Sequence, residues 1–424
     1  MERNSLIYQT YVQLLREELV PAMGCTEPIA IAYCAAKARS VLGAVPDRVV
    51  VEASGNIIKN VKSVVVPNTG GRRGIQSAAA IGILGGDESR GYEVISAVPE
   101  QAKEQLSQYL ARTPIEVRPA CSDRVLDITV IVYDGKHSAS VRAVNHHTNI
   151  IHIERDGGTL LDRPARGEEA SETDRSLLNL AGIFDFAKTA ALEDVREVIQ
   201  RQVEYNTAIS EEGLLHGHGA NVGRTLLSVY GQNVHIRARA AAAAGSDARM
   251  DGCELPVVIN SGSGNQGMTA SLPVIEYAKE LGSSQEELYR ALLLSNLITL
   301  HQKTGIGRLS AYCGAVSAGA AAGAGIAFLH GADLDTVSQT VVNALAVTSG
   351  IICDGAKASC AGKIAAAVDA GILGFEMCRR SFRFLGGDGI LRDDPEGTIQ
   401  NVGRLGRIGM RETDQEIIKM MTEY

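Results

Sequence analysis

The stretch VLDITVIVYDGKHSASVRAV, residues 125–144, decides what kind of fold this chain adopts. Polar and apolar residues alternate from Val125 to Tyr133, the pattern of a strand with one buried face. DGKH (134–137) then turns the chain into a second run, Ser138 to Val144, and Ile150 to Ile153 reads as a third strand. Toward the N-terminus, Val49 to Val51, Val61 to Val66 and Tyr92 to Ala97 also read as strands, with helical runs over 75–84 and 99–111 between them. Residues 46–165 are therefore expected to form a small α/β domain.

Outward in the other direction, RDGGTLLDRPARGEEASE (155–172) is polar, charged and punctuated by Gly and Pro, as a linker is. Beyond it, helical spacing recurs over 174–189, 191–209, 221–229, 235–247, 267–281, 285–302, 309–329, 335–349 and 361–380. At the start of the chain Ile7, Tyr11, Leu14, Leu15 and Leu19 share a helical face that Pro21 stops; Thr26 then reads as the N-cap of a second helix. The expected class is α+β. An N-terminal helical pair (1–45) packs on a large all-helical C-terminal domain (166–424), and the strand-containing domain is inserted between them.

Composition narrows the function. The 424 residues are 45% hydrophobic, enough for large buried cores, and the net charge of −8 lacks the basic footprint of a nucleic-acid or anionic-membrane binder. There is no Trp and aromatics are 4%, which argues against base-stacking platforms. Gly reaches 45 residues, above the usual share of about 7%, and points to close backbone packing and ligand loops. The opening MERNSLIYQTYVQLLREELV carries charges throughout and has no signal-peptide core, so a cytoplasmic protein with reduced thiols is expected. Leu309 to Leu329 is uncharged and long enough to span a bilayer, but it is built of Ala, Gly and Ser; a tightly packed core helix is the expectation. A homo-oligomer is the default for a soluble enzyme.

Chemistry concentrates in the cysteines at 25, 313, 353 and 360. Cys34 and Cys378 lie among apolar neighbours and read as small buried hydrophobes, and Cys121 and Cys253 have nothing nearby to activate them. Cys353 and Cys360 bracket CDGAKASC. On one continuous helix their sulfurs would stand roughly 10.5 Å apart along the axis, too far for a single metal ion. If Gly355 breaks the helix, both reach a larger object such as an iron–sulfur cubane, with Cys313 of YCGAVSAG as a third ligand; cysteines packed in a Gly/Ala-rich core are the competing reading. Cys25 precedes the second helix, where backbone N–H groups favour a thiolate suited to a nucleophile, a base or a metal ligand, although Gly-Cys at a helix–helix turn is also ordinary structure.

Two glycine-rich loops, VPNTGGRRG (66–74) and NSGSGNQGMT (260–269), offer anion-binding backbone N–H groups but match no nucleotide motif, so a carboxylate is the better ligand. Asn68, Ser261, Ser263, Asn265 and Gln266 are the candidate substrate-binding residues. The histidines of HGHG (216–219) and His146-His147 resemble metal sites only in composition. His301 and Lys303 precede the Cys313 helix, within reach of whatever Cys313 touches or simply as helix caps.

Taken together, GCTEP (24–28), SGSGNQG (261–267), the setting of Cys313 and CDGAKASC (353–360) resemble one family, the bacterial and archaeal L-cysteine desulfidases. The chain is equally similar to the proteins grouped with them, whose relatives include the alpha chain of iron–sulfur L-serine dehydratase. The resemblance implies an oxygen-labile [4Fe–4S] cluster on Cys313, Cys353 and Cys360, with one iron open to substrate. The segment between the last two is shorter than in serine dehydratases, and Gly355 stands where those have proline, which leaves Cys25 as an alternative third ligand. Otherwise Cys25 is the acid/base group, with Lys357 the second choice. The implied reaction is β-elimination of L-cysteine to pyruvate, ammonia and sulfide without pyridoxal phosphate. Serine dehydration by the same chemistry, or a cluster-free amino-acid-binding protein, are the rival expectations. The partner is a small amino acid, not nucleic acid or membrane.

Overall fold

The computed structural model describes residues 1–165 and 173–422. Its first half contains α1 (Leu6–Glu18), β1 (Pro21–Met23), α2 (Thr26–Leu42), β2 (Arg48–Ala53), α3 (Gly55–Val61), α4 (Gly74–Gly85), α5 (Glu100–Arg112), β3 (Ile115–Pro119), β4 (Asp127–Asp134), β5 (His137–Val144), β6 (Ile150–Arg155) and β7 (Gly158–Asp162). The second half contains α6 (Leu180–Thr189), α7 (Arg196–Leu215), α8 (Val222–Tyr230), α9 (Val234–Met250), β8 (Pro256–Val258), α10 (Gly264–Leu281), α11 (Gln285–Ile306), α12 (Gly314–Leu329), α13 (Leu334–Thr348), α14 (Cys360–Cys378), α15 (Pro395–Arg404) and α16 (Arg411–Thr422).

The alternating stretch forms the centre of a six-stranded sheet ordered β3-β2-β4-β5-β6-β7, parallel between β2 and β3 and antiparallel elsewhere. Ile128, Val130 and Val132 of β4 are buried, because period-two alternation sends every second side chain to the covered face. That face packs on α2 and α4 around Ile29, Ile31, Ala35, Ala79 and Ile81. The sequence reading placed both N-terminal helices on the helical body. Instead α1 joins the helical core through Tyr8, Leu14 and Leu15, while α2 lies in the core of the sheet. The small residues of α2 (Ala30, Ala32, Ala35, Ala36) allow α4 to approach closely; a Cβ on Gly82 would collide with the Ala32 carbonyl.

Two expected strands are not strands. Val61 closes α3 and Val64 to Val66 run through a loop, whereas Tyr92 to Ala97 form a short helical turn and bends. Val64, Val94 and Ile95 are nevertheless buried, so these short apolar runs reported burial rather than extension. The first part of the expected linker is strand β7, and residues 166–172 lie outside the described residues.

The helical core gathers α10, α11, α12 and α14. Uncharged α12 is buried along nearly its whole length, and its Gly319 and Gly323 touch the backbone of α14 at Ala367 and Gly371. Close backbone contact explains why the segment is Ala and Gly rather than Leu. Among the described residues, no helix is long and apolar enough to cross a membrane.

Candidate active site

Two loops carry the cysteines of the helical body, and backbone hydrogen bonds tie them together. Tyr312 and Ile352 form an isolated antiparallel bridge; Cys313 N–H donates to the Ile351 carbonyl at 3.1 Å, and Cys353 N–H to that of Ala311 at 2.6 Å. After Cys353 the chain does not continue as a helix. Gly355 adopts φ +91°, which an L side chain rarely tolerates, and α14 starts only at Cys360. The thiols of Cys313, Cys353 and Cys360 come close enough to act on one another electrostatically: burial, then the neighbouring Cys353 and Cys360, pushes the Cys313 thiol up to about 12. Cys25 reaches the same place from the other side, packing with Val64 and Met250 against Ala356 and Cys360.

Helix N-termini converge here. Cys25 is the N-cap of α2, Cys313 that of α12, Ser263 that of α10, and Cys360 is the first residue of α14. The N-cap residues of all four helices make no side-chain cap hydrogen bond, which leaves the positive helix ends open to other acceptors. The Gln266 side chain lies on Gly314, where a Cβ would come within 2.5 Å of its Cδ, and so joins the starts of α10 and α12. Four positive helix ends around one point favour bound negative charge.

The residue beside Cys25 changes its chemistry. Cys25 Sγ donates to Glu27 Oε2 at 3.0 Å, and that buried carboxylate also accepts from Thr26 Oγ1 at 3.1 Å and Asn60 Nδ2 at 3.0 Å. His147 Nε2 stands 3.9 Å from Glu27 Oε1, and its Nδ1 is 3.4 Å from the Tyr92 hydroxyl. Burial alone would raise the Glu27 pKa, but His147 and Cys25 outweigh it and hold it at about 2. Conversely, burial first and Glu27 second push the Cys25 thiol well up. The expected thiolate at a helix start is therefore a thiol in the resting protein, because desolvation and an adjacent carboxylate exceed the helix-end effect.

Beside these groups a cavity of about 1210 Å³ is lined by Ser261, Lys303, Arg308 and Ala311, and by Arg407 and Asp414 of the C-terminal segment. Lys303 is 4% exposed and has no ion pair within 4.0 Å among the described residues. Burial brings its pKa down to about 8, against the opposing pull of Cys353 and Cys313.

The family profile described as the serine dehydratase alpha chain matches residues 89–419, a span that includes all three clustered cysteines of the helical body. The chain belongs to that family. It is 58% identical over 422 residues to a UPF0597 protein of Desulfitobacterium hafniense, covering 99% of this chain and 98% of that one. A UPF0597 protein of Lachnoclostridium phytofermentans is 51% identical over 415 residues, 98% of this chain and 100% of its own length. One from Treponema denticola is 45% identical, with 98% of each chain covered. Membership in the serine dehydratase alpha chain family relates the protein to lyases and to iron–sulfur enzymes.

The residues present fit such a group. Three half-buried thiols lie within electrostatic reach of one another and of a buried lysine, and among the described residues the buried Gln266 Oε1 has no hydrogen-bond partner. Among the described residues no three Cys, His, Asp or Glu gather tightly enough for a single metal ion.

Other sequence-predicted positions are placed differently. Lys357 ion-pairs with Asp354 and donates to the carbonyls of Asp354 at 3.0 Å and Gly355 at 3.3 Å, which ties up the proposed second base. Asn68, at φ +61°, gives its amide to the Ile95 carbonyl at 2.8 Å and so ties its loop to the segment before α5. Ser261, at φ +51°, donates to Asn260 Oδ1 at 2.9 Å and faces the cavity. Ser263 caps α10, which begins three residues before the expected 267, so Asn265 and Gln266 sit in its first turn. His301 Nε2 lies 2.7 Å from Glu396, and His216 Nδ1 and His218 Nε2 lie 3.0 and 3.1 Å from Glu212, so each has a carboxylate partner away from the cysteines. Glu27 and Arg249 were missed. GCTEP does display Glu27 two residues after Cys25, but Arg249 sits in a helical Ala-rich run and carries no local signal.

Proposed function

We propose that the protein catalyses β-elimination of L-cysteine to pyruvate, ammonia and sulfide, independent of pyridoxal phosphate and dependent on an iron–sulfur cluster. The observation that carries the reading is the meeting of Cys313, Cys353 and Cys360 with Cys25 at helix N-termini without side-chain caps. Cys313, Cys353 and Cys360 are the residues to hold a [4Fe–4S] cluster, which leaves Cys25 outside the ligand set. When bound, that cluster supplies a Lewis-acidic iron to stabilise negative charge developing on the substrate.

The chain's own groups do the rest. The buried Glu27 carboxylate and the unpartnered Gln266 Oε1 are acceptors for the α-ammonium of an amino acid. Ser261, Ser263 and Asn265, on the loop leading into α10, orient it. A cation arriving beside Glu27 relieves the repulsion that keeps Cys25 protonated, so substrate binding itself favours the thiolate that takes the Cα proton. Loss of that proton forms the Cα–Cβ double bond as the Cβ–S bond breaks; the released aminoacrylate hydrolyses to pyruvate and ammonia. All eight cysteines are unpaired, which suits the reducing cytoplasm in which we place the enzyme.

The family match favours a second reading, dehydration of L-serine by the same steps with a C–O bond broken. Anoxically reconstituted protein, offered each amino acid in turn, separates the two. Pyruvate and sulfide in equal amounts from L-cysteine, and slower turnover of L-serine, are expected. Serine turnover equal to or above that of cysteine would overturn the sulfur assignment, and binding without pyruvate from either would make this a non-catalytic amino-acid-binding protein.

A further inference from the structure

Arg249, the penultimate residue of α9, is 2% exposed and is among the largest fully buried side chains of the described residues. Its Nε donates to the Gly24 carbonyl at 2.9 Å and its Nη1 to Asn265 Oδ1 at 3.1 Å. Both acceptors are neutral, and among the described residues no carboxylate lies within 4.0 Å of the guanidinium. A buried charge without a counter-ion is unfavourable, and a guanidinium has five N–H donors, of which two are spoken for.

The surroundings narrow what would complete it. The guanidinium lies flat on Gly264, where a Cβ would come within 2.5 Å of Nε and 2.8 Å of Cζ, so it abuts the uncapped first turn of α10. Gly24, its other contact, immediately precedes Cys25, whose thiol it influences electrostatically. The buried Glu27 carboxylate accepts from the same thiol at 3.0 Å. One thiol is therefore within the influence of a buried positive group and a buried negative group, the two charge signs that an α-amino acid zwitterion carries.

We propose that Arg249 is the specificity-determining residue that receives the α-carboxylate of the substrate, together with the N–H groups at the start of α10, and thereby sets Cα against Cys25. The inference rests on the β-elimination reading only in taking an α-amino acid as the ligand. Bidentate guanidinium–carboxylate pairing fixes both position and plane of the carboxylate, which a lone ammonium in its place would not.

The test uses calorimetric binding of L-serine, L-cysteine and L-serinamide to the full-length protein without cluster. Wild type is expected to bind both amino acids and to reject the amide. Arg249→Gln is expected to lose affinity by about 100-fold, and Arg249→Lys to recover part of it. Asn265→Asp places a permanent counter-ion against Arg249; it is expected to fold at least as stably as wild type and to lose amino-acid binding, which keeps the idea testable if Arg249→Gln does not fold. Wild-type affinity in Arg249→Gln or in Asn265→Asp, equal binding of the amide, or no amino-acid binding to wild type would each overturn the assignment. Binding that depends on Arg249 without pyruvate after reconstitution would instead sink the β-elimination reading and leave this one standing.

Discussion

The Cys313 amide donates to the Ile351 carbonyl at 3.1 Å, so the loop before α12 and the loop before α14 are joined by their backbones. With the Tyr312–Ile352 bridge, this contact sets two thiol-bearing segments side by side without help from a bound group. A site preassembled in this way loses little conformational entropy on taking up its ligand.

Alanine substitution at Cys313, Cys353 or Cys360 is accordingly expected to leave the fold intact and to abolish iron and sulfide incorporation. Cys25→Ala is expected to keep the cluster and lose turnover. Iron and acid-labile sulfide assays on anoxically reconstituted variants check both; loss of cluster in Cys25→Ala with retention in Cys360→Ala would exchange their roles.

Gly355→Ala tests the turn between two of the thiols. Its φ of +91° is strained for alanine, and a Cβ would collide with the Lys59 carbonyl of α3. A destabilisation of about 1–3 kcal/mol is expected, together with weakened cluster retention, measured by denaturant unfolding and iron content.

Lys303→Met tests the buried ammonium. In the folded protein Lys303 gives up its proton near pH 8, compared with 10.5 for its ordinary value. Below pH 8 both folded and unfolded chains carry the charge, and the folded one bears the full burial penalty. Between 8 and 10.5 the unfolded chain binds more protons, so wild-type stability from this group rises with pH. The variant is expected to gain about 3 kcal/mol at neutral pH and to lose that slope. Unfolding curves at pH 7 and 8.5 decide, since an unchanged slope contradicts the assignment.

Asp414→Asn tests the ion pair that ties α16 to α3. Lys59 Nζ lies 2.5 Å from Asp414 Oδ1 with the Lys59 side chain 1% exposed, and Asn56 Nδ2 donates to Asp414 Oδ2 at 2.8 Å. Lys59 also reaches the Cys353 carbonyl at 3.4 Å. Leaving Lys59 without its counter-ion costs about 3 kcal/mol and should release α16 from α3, seen as faster amide hydrogen exchange over 411–421 and 353–359. Exchange unchanged in both segments would show that the pair does not hold the helix down.

Much of the architecture was legible because periodicity is local. Alternation over 125–144 and the helical spacing after 172 are properties of neighbours in the chain, and both appear where expected. Val61–Val66 and Tyr92–Ala97 misled because a short apolar run signals burial in any backbone conformation. The association of α2 with the sheet was hidden for another reason: its apolar residues and alanines would suit either core, and only the facing surface of α4 and β4 selects one.

The site divides in the same way. Cysteine spacing and Gly355 pointed to the two loops that backbone bonds join, since thiols, glycine and helix starts each leave a trace in the chain itself. Protonation and charge pairing did not. That Cys25 is a thiol, that Lys357 is held by Asp354 and that Arg249 is buried without a counter-ion all depend on which groups from distant segments share a low-dielectric space. Spacing along the chain is fixed covalently, whereas desolvation and Coulomb energy depend on distances that exist only after the two bodies have packed.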